Sequence, residues 1–239
     1  MGPEIETDAE PEFGETWTFE SIVGALPGVE FSDRMAVAFQ FALFQVGVLV
    51  LATIYDAWTA ALAGTAAVIV AAGGSVMMLR MGELVRSVSV SPAYRRMLFG
   101  SNVEVVLSVL AFIALVTHLL LVDPRQSETP LINELFGPEP SMVLVYFTLL
   151  VLWDLCYRIG TSWWIAVVSL WRSVRHPVDP ETAVTLGRVD RLNVGFSLLQ
   201  VILVPFALGH PSLVVGLIGH VLAVTGVSGL SYLIAKSRR

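Results

Sequence analysis

Two side chains on which sites are often built are almost missing from this chain. Lysine occurs once, at Lys236, against thirteen arginines, and cysteine occurs once, at Cys156. A lone cysteine excludes an intrachain disulfide and a cysteine-based metal cluster, and Cys156 reads as a small packing residue. A retinal protein needs a lysine within the membrane for its Schiff base, and Lys236 lies at the C-terminal end, which excludes that chemistry. No His-Glu-x-x-His pair, no phosphate-binding glycine loop and no paired aspartate motif for lipid head-group transfer occurs. Charge is scarce too, at 14% of residues, where soluble domains carry about a quarter.

What remains is apolar. Hydrophobic residues make up 55% of the chain and the mean hydropathy is +0.75. Crossing a bilayer takes about 20 apolar residues at about 1.5 Å of rise each. Runs of that kind stand at 35–54, 58–79, 102–122, 141–160, 193–209 and 212–234. Backbone groups in lipid must be paired within their own segment, so the runs are helices. The expected fold is an all-α membrane protein, a six-span transmembrane helical bundle over 34–235 with helices extending into the cytoplasm. A tail at 1–33 precedes it and a basic end, 236–239, follows. The opening MGPEIETDAEPEFGE holds six carboxylates and no base, a composition that does not fold alone and lacks the basic start of a signal peptide.

Arginine sets the expected orientation. Arg80, Arg86, Arg95 and Arg96 follow the second run, Arg172, Arg175, Arg188 and Arg191 follow the fourth, and Lys236, Arg238 and Arg239 follow the sixth. Of the alternate connections, only the one at 123–140 has a base, Arg125. The positive-inside rule then places both termini in the cytoplasm of a multi-pass cell-membrane protein. The eight arginines of the two long connections are expected to meet lipid head groups.

Ser91-Pro92 and Asp179-Pro180 each pair a capping side chain with a proline suited to a helix start. Helices two to five are expected to run for roughly 30 residues, about 45 Å. For 160–174, GTSWWIAVVSLWRSV, two readings stand: continuation of the fourth helix, or a break at Gly160 with the segment flat in the interface, anchored by Trp163, Trp164 and Trp171. Ala60, Gly64, Gly73 and Gly74 in the second span, and Gly216, Gly219, Ala223 and Gly226 in the sixth, are small enough for close helix approach.

Ionisable groups within spans cost a few kcal/mol on insertion scales and are the first candidates for a site. Asp154 and Arg158 stand four apart on one helical face, and the opposite run of the third helix brings Glu104 to about the arginine's depth. These three form the expected intramembrane polar cluster, read either as a structural tie between helices or as an ion or proton path. His118, His210 and His220 read as hydrogen-bonding groups between helices, like Gln40, Gln45 and Gln200; no metal site or cofactor is expected.

The string GVSG at 226–229 resembles the nucleophile motif of rhomboid proteases, but Ser228 lies in the last helix with no histidine after it. A packing stripe is its plainer reading. The stretch DLCYRIGTSWWIAVVSLWRS at 154–173, with the acidic lead, the arginine bias and the six spans, resembles an uncharacterised family of small haloarchaeal multi-pass membrane proteins. That resemblance implies location and source, not an activity. The expected role is a non-enzymatic structural or interaction component of the membrane. Its expected partners are lipids, copies of itself or other membrane proteins, not nucleic acid. Small-solute or ion transport through Glu104, Asp154 and Arg158 is the alternative, and a water-accessible cavity reaching that cluster would favour it.

Overall fold

Ser32, Ser91, Ser141 and Asp179 start four of the helices, each accepting a backbone N–H from the first turn with its side-chain oxygen. The structure is a computed structural model that describes residues 16–17 and 32–237. Its helices are α1 (Asp33–Tyr55), α2 (Trp58–Arg86), α3 (Pro92–Phe99), α4 (Val103–Thr117), α5 (Leu131–Phe136), α6 (Met142–Arg175), α7 (Pro180–Leu199) and α8 (Pro211–Ser237). A π turn, His118–Val122, and a last turn, Asp123–Gln126, prolong α4, and a 3-10 stretch, Gln200–Ala207, prolongs α7 across Pro205. Six stretches are long and apolar enough to cross a membrane: Arg34–Tyr55, Trp58–Arg86, Pro92–Gln126, Met142–Arg175, Pro180–Ala207 and Pro211–Ser237. The six expected spans match them one for one, with ends that overrun by at most two residues, and no strand occurs among the described residues.

Both proline-led helices start where expected. Ser91 accepts from the Tyr94 N–H at 3.2 Å, and Asp179 accepts from Glu181 and Thr182 at 3.1 and 2.9 Å. The Thr182 N–H holds the Asp179 carboxyl below its ordinary range. This cap therefore contributes at pH values above the ordinary carboxylate range and is lost as pH falls through the lowered value.

Helix α6 continues through 160–174, which decides between the two readings of that stretch. Its 34 residues make about 51 Å, so it overreaches a hydrocarbon core of about 30 Å. Gly160 serves packing rather than termination: a Cβ there would lie 2.5 Å from the Ser108 Oγ and 2.6 Å from its backbone nitrogen. The third stretch departs from an unbroken helix. It breaks at 100–102, where Asn102 takes φ 53°, a left-handed conformation that asparagine tolerates.

Helix α6 is the hub. It packs most extensively on α4, then on α8 and α2, while α7 lies against α8 and α2 and α1 lies chiefly along α2. One core group gathers Met81, Val85, Tyr94, Leu98, Phe99, Ile165, Leu186 and Val189 at the arginine-rich end. Trp17 belongs to it, 1% exposed, with its ring 4.7 Å from that of Phe99. This part of the acidic lead is therefore fixed on the bundle; the remaining expectation for 1–33 lies outside the described residues, as do Arg238 and Arg239. Outward-facing apolar side chains such as Phe39, Leu62, Leu110 and Leu222 are exposed, as suits helices surrounded by hydrocarbon.

Small residues divide into two kinds. Gly73 meets Leu199, and Gly74 meets Phe196 and the Arg158 Cβ, whereas Gly216, Gly219, Gly226 and Gly229 have nothing within 4 Å of an added Cβ. Close approach is thus found in the second span and not around the glycines of the sixth. Gly160→Val is expected to destabilise by about 1–3 kcal/mol through overpacking against Ser108. Gly229→Ala is expected to be neutral or slightly stabilising, and thermal unfolding in detergent compares the two.

Candidate functional site

Helical spacing puts Asp154 and Arg158 one turn apart on α6, and the side chains meet. The Arg158 Nη2 donates to the Asp154 Oδ1 at 3.0 Å, while Gln40 of α1 donates to the other carboxylate oxygen at 2.6 Å. The Arg158 Nη1 points at the Met78 Sδ, 3.7 Å away on α2, and the guanidinium lies 5.1 Å from the Tyr157 ring centre. Arg158 is fully buried and Asp154 nearly so. Glu104 of α4 is also 0% exposed. Ser108, one turn further along α4, donates to the Tyr157 carbonyl at 3.2 Å, so Glu104 lies on the α4 face that packs on α6. A cavity beside Asp154, lined also by Gln40, Phe44 and Val151, measures about 10 Å³, at most one water.

A second buried ion pair lies further along α6. The Arg172 Nη2 donates to the Asp190 Oδ2 of α7 at 3.1 Å and to the Ser231 Oγ of α8 at 3.3 Å, and Ser231 donates to the same carboxylate oxygen at 3.1 Å. The Tyr94 hydroxyl of α3 takes the Arg172 Nη1 at 3.3 Å, with the guanidinium 5.4 Å from the centre of its ring. All four side chains are buried. Among the arginines expected at lipid head groups, Arg172 therefore stands apart: its charge is spent within the bundle. Arg80, Arg96, Arg175, Arg188 and Arg191 are exposed and Arg86 and Arg95 half-buried; Arg95 donates to the Arg86 and Val88 carbonyls.

Asp190 was overlooked in the sequence because the fifth apolar run begins after it. A signal exists nonetheless: Asp190, Asn193 and Ser197 recur at helical spacing on one face of α7, and Ser228 and Ser231 do so on α8. The structure joins these faces. Asn193 accepts from the Ser162 Oγ at 2.7 Å and donates to the Ser228 Oγ at 3.0 Å, and Ser197 meets Thr225 at 2.8 Å. Ser228 is thus a packing group held by an amide, with no base beside it.

At the opposite end, His210 is buried between two carboxylates. Its Nδ1 lies 2.6 Å from the Asp123 Oδ1 and its Nε2 3.3 Å from the Glu134 Oε2 of α5, while Asp123 accepts the Leu131 N–H at 2.7 Å. These bonds fasten α5 across the end of the bundle. Beneath it lies a partly open cavity of about 570 Å³, walled by α1, α2, α4, α6 and α8, whose lining includes His118, His220 and Cys156 but no charged side chain. Glu104, Asp154 and Arg158 do not line it. No group of three or more His, Cys, Asp or Glu able to hold a metal occurs among the described residues.

Residues 12–231 match the family described as Family of unknown function (DUF7530). No curated protein and no solved structure matches the chain. The match covers most of the sequence, and the chain belongs to that family.

Breaking a buried pair leaves a lone charge, which costs about 3–5 kcal/mol, whereas replacing both partners by apolar groups is far milder. Arg172→Leu is therefore expected to destabilise more than the double variant Arg172→Leu, Asp190→Leu. Denaturation of the two variants in the same detergent checks the order.

Proposed function

We propose that this member of a family of unknown function is a non-enzymatic component of the cell membrane, structural or interacting, with both termini cytoplasmic and its charged residues used to hold helices together. The observation that carries this reading is the tight setting of the Asp154 and Arg158 pair: Gln40 and Met78 contact it from neighbouring helices, and the void beside Asp154 is no larger than a water. An ion path through Glu104, Asp154 and Arg158 needs hydrated access to them, and the large cavity is lined by none of the three.

The orientation rests on arginine asymmetry between alternate connections. Exposed Arg96, Arg175 and Arg188 then stand where they attract anionic head groups, each worth on the order of 1 kcal/mol at low salt. In a salt-adapted, haloarchaeal host, which the bias for arginine and acid suggests, molar salt screens that attraction within about 3 Å. The buried pairs keep theirs. Glu104 completes the Asp154 and Arg158 unit across the α4 and α6 interface.

Two measurements test this reading. A cysteine replacing Ser127 is expected to react with an impermeant maleimide from outside intact cells while one replacing exposed Ser89 stays protected; the native Cys156 is buried and silent. The reverse pattern overturns the orientation. For the cluster, Arg158→Leu is expected to cost a few kcal/mol, and apolar replacement of Glu104, Asp154 and Arg158 together to cost less. If the triple variant instead loses the sum of three separate effects, the residues do not act as one unit.

A further inference from the structure

The large cavity is long rather than round. Along α6 it is lined from Leu144 to Ile159, about 22 Å at the helical rise. Spread over that length, its 570 Å³ leaves a mean section of about 26 Å². A hollow of that length and width takes a hydrocarbon chain lengthwise. Its volume lies within the roughly 300–1,000 Å³ of small-molecule sites.

Ser212, Thr148, His118 and His220 line the channel from the His210 end inwards. His118 stands about 8 Å along α4 from Asp123, and His220 about 15 Å along α8 from His210, counting the rise per residue. Beyond them, towards Ala111, Leu155 and Ile159, the lining is apolar apart from the buried Cys156 thiol. The Nε2 atoms of both histidines are buried and find no hydrogen-bond partner among the described residues. A buried polar atom left unmatched is costly, and most such atoms in folded proteins have a partner. A hydroxyl carried by an occupant of the cavity could supply that partner.

The surroundings identify where that occupant comes from. Leu120 lines the cavity and is 49% exposed, and neighbouring Leu62 and Val143 are exposed as well. The opening therefore joins the apolar outer surface of the bundle, whereas α5 closes the end with Leu131, Leu135 and Phe136 turned to the cavity and Glu134 bonded to His210.

We propose that this cavity binds one single-chain amphiphile drawn from the surrounding membrane, its hydrogen-bonding end at His118 and His220 and a tail of about eight carbons, the length that about 10 Å of helix allows, directed at Ala111 and Ile159. The site is separate from the charged pairs, and it stands or falls independently of the orientation and of the cluster test.

The test uses the full chain purified in detergent, with a diazirine-bearing octanol as photoprobe and native mass spectrometry and peptide mapping as readouts. One adduct per chain is expected, with cross-links in 111–119 and 149–159. Unlabelled octanol is expected to compete about tenfold better than octane, a difference of about 1.4 kcal/mol. The double variant His118→Leu, His220→Leu is expected to abolish that preference. Ala111→Phe, which fills the tail end, is expected to reduce the adduct about tenfold, while Val109→Phe on the exposed face leaves it unchanged. Should Ala111→Phe fail to fold, the alcohol preference and its loss in the histidine variant still decide. Labelling spread over exposed positions such as Val106 and Ile113 and competed equally by alcohol and alkane overturns the proposal. A Soret band in the purified protein that disappears in the histidine variant also overturns it, by assigning the cavity to a porphyrin.

Discussion

A guanidinium cannot shed its proton, so an arginine inside a helical bundle must find a carboxylate or leave a bare charge in a medium of low dielectric. Helix α6 carries two such arginines, and the arrangement of the other helices follows from how they are matched. Arg158 takes its carboxylate from its own helix, one turn away, and draws in Gln40 from α1 and Met78 from α2. Arg172 has no acid at that spacing and takes Asp190 from α7, with Tyr94 from α3 and Ser231 from α8 completing the shell. Five helices thus converge on α6 through two side chains, and because each bond needs donor and acceptor within about 3 Å, the register of α7 and α8 against α6 is set at Arg172.

That difference explains how much could be read from the chain. The local pair, Asp154 with Arg158, follows from spacing alone, as do the six spans and the caps at Ser91 and Asp179, because each depends on residues within one turn. The pairing of Arg172 with Asp190 depends on how α6 and α7 cross, and eighteen residues with a turn between them hide it. Trp17 was hidden for a related reason. A composition rich in acid and poor in apolar groups argues against an independent fold, but one large aromatic, Trp17, joins the core against Phe99.

Small residues misled in a more instructive way. A glycine or alanine in a span permits close approach without requiring it. At Gly74 and Gly160 the permission is used, with Phe196, Arg158 and Ser108 within contact of the missing Cβ. At Gly216, Gly219 and Gly226 it is not, and Gly216 instead faces the cavity together with Ala57, Ala60 and Ala111. Whether small side chains become contact or void depends on the distance between helix axes, which is fixed elsewhere, at the large buried side chains.

The two ends of the bundle are consequently unlike. Around Arg172 the space between helices is filled by Trp17, Met81, Tyr94, Leu98 and Phe99, and both members of the ion pair are buried. Towards His210 the helices are lined by alanine and glycine and enclose about 570 Å³. An empty apolar cavity of that size would forfeit dispersion contacts along its whole wall, a loss that grows with volume. The ties at Arg158 and Arg172 hold the helices together at other levels of the bundle, so the hollow does not have to be closed by helix contacts of its own. The rigid end is the frame, and the end closed by α5 over His210 is where an occupant is accommodated.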